Sequence, residues 1–293
     1  MPKNLSSSGQ TGPLSVGKVV SASLRIYHDH FKSYFGLAFV ANLWLLVPIY
    51  GWAKYSAISA LISRLAFGEV REKPETITDA RREVNPRMWR FLWAGILTFL
   101  IFFGASLVGG IAMAILAGGA GAIFGQNSPI VAVLLVVVAV IAFLIICIRI
   151  ISRLLIVELP LAMENNIGAS SAIGRSWELT KGSVGRIQWI VFVGILVSLP
   201  RSIIVMQILA MIVLGVFTAA VGGVESSIFN LVHYDLDRYL QILPFSLGSG
   251  ALVTPLLQAM KAIIYYDLRS RKEGLGLQIR DKKRNSNKPN TKK

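Results

Sequence analysis

Between Ser128 and Ile148 the chain carries no charged residue. An uninterrupted apolar run of about 18 or more residues, rising 1.5 Å per residue as a helix, reaches across a hydrocarbon core of roughly 30 Å. Other apolar stretches follow the same pattern, and together they predict six crossings, over 34–51, 52–68, 89–118, 129–157, 187–210 and 244–268. The first two are short, with Lys54 and Arg64 near their ends, where long side chains snorkel to the headgroups. The fifth is interrupted by Pro200-Arg201. It is expected to bend there and to be followed by an interfacial loop through Glu225, His233 and Asp237, although 202–221 is itself long enough to cross.

The segments before the hairpins have a different period. In LSVGKVVSASLRIYHDHFK, Val16, Val20, Leu24, Tyr27 and Phe31 recur at helical spacing, while Lys18, Arg25, Asp29 and Lys32 fall elsewhere on the wheel. TITDARREVNPRMWR sets Ile77, Val84 and Met88 against Arg81, Arg82 and Glu83. ASSAIGRSWELTKGSVGR puts Ile173 and Trp177 four apart, with Arg175, Glu178 and Lys181 outward. Such amphipathic helices suit a membrane surface, apolar face toward lipid and cationic face toward anionic headgroups.

One phrase occurs twice. Ile-Ser-Arg-Leu followed by a glutamate stands at Arg64/Glu69 and again at Arg153/Glu158, each time near the end of an apolar stretch. The spacing predicts equivalent positions in an internal repeat of hairpins. The third hairpin ends differently, in IIYYDLRSRKEG.

Composition fits this picture. Hydrophobic residues make up 54% of the 293, above the roughly 45–50%, glycine included, of a soluble domain. The net charge of +15 raises nucleic acid as a partner, but the charge distribution favours a membrane. All Lys and Arg except Lys54, Arg201, Arg238 and Lys261 fall in four clusters, 3–32, 64–90, 149–186 and 269–293. Basic loops stay in the cytoplasm. Four clusters on one side require an even number of crossings between neighbours, hence three hairpins with both termini cytoplasmic. A seventh crossing would put the basic tail outside. That tail, RDKKRNSNKPNTKK, has no aromatic residue for stacking on bases, and its expected partner is the anionic inner leaflet. The expected architecture is therefore an all-α integral membrane protein. It has a flexible arm at 1–13, a polytopic domain at 14–278 and a basic flexible tail at 279–293. The arm has no apolar core of a secretory signal, and the lone Cys147 excludes an internal disulfide.

The chemistry-bearing residues form no catalytic constellation. His28-Asp29-His30 diverge on a helix rather than converge on an ion. Gly121 and Gly125 form a single GxxxG, which suits close helix packing or an outer turn. HExxH, Walker and GxSxG patterns are absent, so no catalytic, cofactor or metal residue is assigned. What remains is charge at helix ends. Arg64/Glu69 and Arg153/Glu158 are either the mouth of a cavity or snorkelling anchors. Trp177, with Arg175, Lys181 and Arg186, either docks an interfacial helix or recognises a specific lipid or partner. Glu164, Thr180, Lys261, Asp267, Arg269 and Arg271 complete the candidates.

RLLIVELPLAMEN (153–165), AIGRSWELTKGSVGR (172–186) and YYDLRSRKEG (265–274) resemble a bacterial family, the membrane domain attached to some glycerophosphoryl diester phosphodiesterases and also found as stand-alone multi-pass proteins. The resemblance covers roughly the C-terminal half, through Pro160, Glu164, Arg175, Ser176, Trp177, Thr180, Gly182 and Arg186. Leu275-Gly276-Leu277 departs from it where an acidic residue is expected. The phosphodiesterase domain of the two-domain relatives is a separate soluble barrel, which this chain has no room to encode. The resemblance thus implies membrane residence in a bacterium, and the family name is not to be read as an activity.

The sequence leads to a non-enzymatic multi-pass protein of the bacterial cytoplasmic membrane, without cofactor. It is expected to organise a membrane process through anionic lipids or partner proteins at a basic cytoplasmic face. The alternatives are a transporter or channel, suggested by the repeat, the proline break and the embedded Lys261, and an accessory subunit of a lipid-related enzyme.

Overall fold

The computed structural model describes residues 14–124, 128–164, 166–197 and 227–273, and every regular element among them is helical. They fall into two compact units. One holds the described residues up to Met88 and from Trp189 onward; the other is Trp89–Gln188.

In the first unit, α1 (Val16–Asp29), α2 (Phe31–Trp44) and α3 (Tyr50–Val70) pack with the long α10 (Ser227–Glu273). Ser15 caps α1, its Oγ accepting the Lys18 N–H at 3.4 Å. The expected amphipathic helix therefore forms, but its buried face is not the predicted stripe: of Val16, Val20, Leu24, Tyr27 and Phe31 only Val20 and Tyr27 are buried, and protein covers that face. Val19, Val20, Ile26 and Tyr27 are buried in a helix that packs on α10 and α2, and the small Ala22 and Ser23, also buried, permit close approach. The first expected crossing, 34–51, is not one helix. α2 ends at Trp44 after 14 residues, about 21 Å of rise, and a turn holding Pro48 and Ile49 leads into α3.

A Schellman motif closes α3. Lys73 N–H donates to the Gly68 carbonyl at 2.9 Å and Glu72 N–H to the Glu69 carbonyl at 3.1 Å, with Glu72 at φ 57°. Gly68 is required by closeness, because a Cβ there would meet the Lys73 carbonyl oxygen at 2.9 Å. After this turn Thr76 caps α4 (Ile77–Val84), accepting the Asp79 N–H at 3.1 Å. A 3-10 turn, Asn85–Arg87, leads into α5.

α10 runs unbroken through the expected sixth crossing. His233 and Asp237, expected in an interfacial loop, lie on this helix, while Glu225 and 202–221 are outside the described residues. Polar groups join α10 to its neighbours. Ser63 Oγ donates to Gln258 Oε1 at 2.8 Å in the interior, and a Cβ at Gly250 would collide with the Asn42 side chain. Interhelical hydrogen bonds and small residues are how helices associate when the hydrophobic effect between them is weak.

In the second unit, α5 (Met88–Phe124) has 37 residues and α6 (Pro129–Leu154) has 26. The helical stretches Ile77–Phe124 and Pro129–Met163 are long and apolar enough to cross a membrane. Their large side chains, among them Phe99, Val108, Ile115, Val138 and Ile141, are exposed, and a helix apolar all round needs burial in protein or in lipid. Gly109 of α5 lies against the Phe143 ring of α6. α7 (Glu158–Met163) and α8 (Ala169–Thr180) follow, with α8 packed on α6 and α7. An apolar helix, α9 (Val184–Val197), which begins in this unit and from Trp189 onward belongs to the first, covers the start of the expected fifth crossing; Pro200-Arg201 lies outside the described residues.

The repeated phrase occupies different local settings. Arg64 and Glu69 both sit inside α3, whereas Arg153 is in the last turn of α6 and Glu158 opens α7 beyond a turn.

Candidate functional site

Charged groups collect at the helix ends of both units. In the first unit Arg64 and Glu69 were candidates for a cavity mouth or for snorkelling anchors; five residues advance about 140° around a helix at 3.6 residues per turn, so the two side chains leave α3 in different directions and find different partners. Arg64 is paired in a two-bond fork with Glu75, which stands between the Schellman turn and the cap of α4. Its Nε lies 2.7 Å from Oε2 and its Nη2 3.2 Å from Oε1. Glu69 meets His30, Nε2 to Oε1 at 3.3 Å, and the His30 ring lies on Tyr34 with centroids 5.6 Å apart. His28 and Asp29, beside it, are exposed.

On α10, Asp267 is 5% exposed. It accepts the backbone N–H of Leu14 at 3.1 Å, which ties down the entry to α1, and lies 3.9 Å from Arg271. Arg269 donates to Glu273 at 2.7 Å and to the Tyr265 hydroxyl at 3.3 Å. Lys261 is half-buried on the same helix. Glu75 escaped sequence reasoning and His30 was weighed there only as part of a rejected metal cluster; only the fold supplies these pairings.

The second unit gathers more of the candidates at the foot of α6. A helix ends with carbonyls that lack intrahelical donors. Buried Ser176 of α8 donates its hydroxyl to the carbonyl of Arg153 at 2.6 Å, fastening α8 beneath α6. The next residue, Trp177, then lies under the Arg153 side chain, whose guanidinium carbon is 4.3 Å from the ring centroid. Thr180 is buried and donates back to the Ser176 carbonyl at 2.8 Å. Arg175 reaches Glu164 at 3.5 Å and Glu178 at 4.0 Å. Glu158 and Arg186 are half-buried, and Lys181 is exposed at the end of α8. Arg153, Pro160, Ser176 and Trp177 thus fall where α8 packs on α6 and α7.

Gly182 follows, at φ 83° with open space around its Cβ position. Its glycine is required by backbone, not room. Gly182→Ala is expected to destabilise the protein by about 1–2 kcal/mol, seen as a lowered Tm in detergent by circular dichroism; an unchanged Tm would refute the left-handed turn.

Among the described residues no group of three or more His, Cys, Asp or Glu side chains is placed to hold a metal ion. The geometry at the foot of α6 offers guanidinium groups and an indole, which suit recognition of anions. No protein-family model, no curated protein and no solved structure matches the chain.

Proposed function

We propose that this is a non-enzymatic multi-pass protein of a bacterial cytoplasmic membrane that organises a membrane process by holding anionic lipids or a partner protein at its basic cytoplasmic face. One observation carries the reading. α6 is exposed and apolar along most of its length, then carries Arg149 and Arg153 in its last turns, with Arg153 over the Trp177 ring, the order of groups found where a helix leaves hydrocarbon for headgroups. The positive-inside pattern puts that foot in the cytoplasm, and six crossings in three hairpins keep both termini there. The resemblance to stand-alone membrane-domain proteins supports the same reading.

The test has two parts. In a Cys147→Ala background, Ser128→Cys at the start of α6 is expected to react with an impermeant maleimide on intact cells, and Ser183→Cys, beyond α8, only after permeabilisation. Purification in a gentle detergent is then expected to retain anionic lipid enriched over the source membrane. Reversed labelling overturns the orientation, and unenriched lipid overturns lipid binding.

One feature favours a second reading, a transporter. The interior of the first unit carries the Ser63–Gln258 bond and the buried Asn42 and Thr254, polar groups that in transporters line a path. Substrate-dependent flux in proteoliposomes, lost in Gln258→Leu, is the result that would favour it.

A further inference from the structure

We propose that Arg149 and Arg153 form a clamp for one phosphate group, that of an anionic phospholipid or a soluble phosphate, with Trp177 as its floor. The inference rests on the membrane reading above and gives it a particular site. The two arginines are four apart in the last turns of α6, so they share one face. Arg149 is exposed and Arg153 half-buried.

Arg64, Arg87, Arg175, Arg269 and Arg271 each have a carboxylate within 4.0 Å. Among the described residues neither Arg149 nor Arg153 has one; the side-chain contact of Arg153 is the face of Trp177. Arg25, Arg71, Arg81, Arg82 and Arg90 share the lack of a carboxylate partner among the described residues, and Arg71 lies over the Phe67 ring at 5.5 Å. What marks Arg149 and Arg153, apart from the arginines that are ion-paired, is their spacing of four on one helix beside Trp177. A guanidinium over an aromatic ring spends its π face, while its N–H donors, which lie in its own plane, stay available for the two-bond geometry that phosphate accepts.

The site is also built in advance. Ser176 fixes the backbone of Arg153, and the same helix supplies Trp177, so the Arg153 head is held where the apolar run of α6 stops. A helix C-terminus disfavours an anion with roughly half a negative charge, but two guanidiniums set two full positive charges against it. A phosphate diester at headgroup depth fits this arrangement of charge above and an indole beside it.

The test uses the full chain in neutral detergent, titrated with phosphatidylglycerol, phosphatidylcholine or inorganic phosphate and read by native mass spectrometry. Wild type is expected to hold phosphatidylglycerol more tightly than phosphatidylcholine. Arg149→Gln/Arg153→Gln is expected to weaken it about tenfold or more, the loss of charge-assisted bonds. Arg81→Gln/Arg82→Gln, which removes two exposed cations of α4, is expected to leave it unchanged. Arg153→Lys is expected to weaken it too, because an ammonium lacks the fork. Should the double variant misfold by circular dichroism, Arg149→Gln alone, altering an exposed side chain, carries the test with a smaller loss.

Equal losses in the α4 variant would overturn the clamp and leave general attraction of anionic lipid, so the proposed function would stand. Wild-type affinity in the clamp variants would overturn the clamp as well. No retained phosphatidylglycerol in any protein would overturn both. Displacement of the lipid by inorganic phosphate, lost with the same two arginines, would support the clamp and name soluble phosphate as its source.

Discussion

Tyr265→Ala is expected to destabilise the first unit by about 3–5 kcal/mol, the range for deleting a buried aromatic side chain. Tyr265 is fully buried. Its ring lies 5.5 Å from that of Phe67, joining α10 to α3. The hydroxyl accepts from Arg269, whose guanidinium also lies 5.8 Å from the ring centroid. Truncation therefore opens a cavity at the seam of two helices and removes one of the contacts that orient Arg269. Tyr265→Phe separates the two effects. It keeps the ring and gives up one hydrogen bond, about 1 kcal/mol, and Arg269 still has Glu273 at 2.7 Å. Thermal unfolding in detergent, followed by circular dichroism, should show a large drop in Tm for alanine and a small one for phenylalanine. Equal, small drops would mean that α3 and α10 do not pack through this ring.

The membrane-length character of α5 and α6 was legible in the sequence because it depends on composition over a long window, and tertiary contacts do not alter composition. The amphipathic helices were legible for a related reason: Thr76 and Ser15 are local caps, and helical spacing is local too. What surrounds those helices was not legible. The apolar face of α1 reads the same whether lipid or α10 covers it, and only the fold decides that α10 does. The break between α2 and α3 was misplaced because hydropathy continues through the turn at 45–49. Proline at 48, followed by a positive φ at Ile49, was the signal available there.

The candidate site divides along the same line. Arg153, Trp177 and Arg175 were picked out by residue type and position, but their meeting depends on α8 folding back under α6 and on the hydroxyl of Ser176 reaching a carbonyl 23 residues away. The reading of Arg64 and Glu69 as cavity-mouth groups or anchors named no partner for either, because partners depend on the fold: the Schellman turn after α3 delivers Glu75 to Arg64. Arg149 was not among the candidates read from the sequence, although the signal was there. It stands one helical turn before Arg153, the spacing at which two side chains share a face.

Val138→Arg is expected to impair membrane integration of the chain. Val138 lies near the middle of α6 and is 63% exposed. An arginine at the centre of a spanning helix is disfavoured by about 2.5–3.5 kcal/mol on insertion scales, and the nearest ends of α6 are too far for its side chain to reach headgroups without distorting the helix or the bilayer. Arg149 on the same helix is tolerated because it stands near an end, where snorkelling relieves the charge. The carbonate-resistant fraction of the full chain should fall for Val138→Arg and stay at the wild-type level for Val138→Leu. Labelling of Ser183→Cys should become visible on intact cells wherever α6 fails to cross. If Val138→Arg stays as membrane-bound and as stable as wild type, the exposed face of α6 is not in hydrocarbon. Arg149 and Arg153 would then not mark headgroup depth, and the lipid form of the phosphate clamp would fall with the membrane reading of this unit.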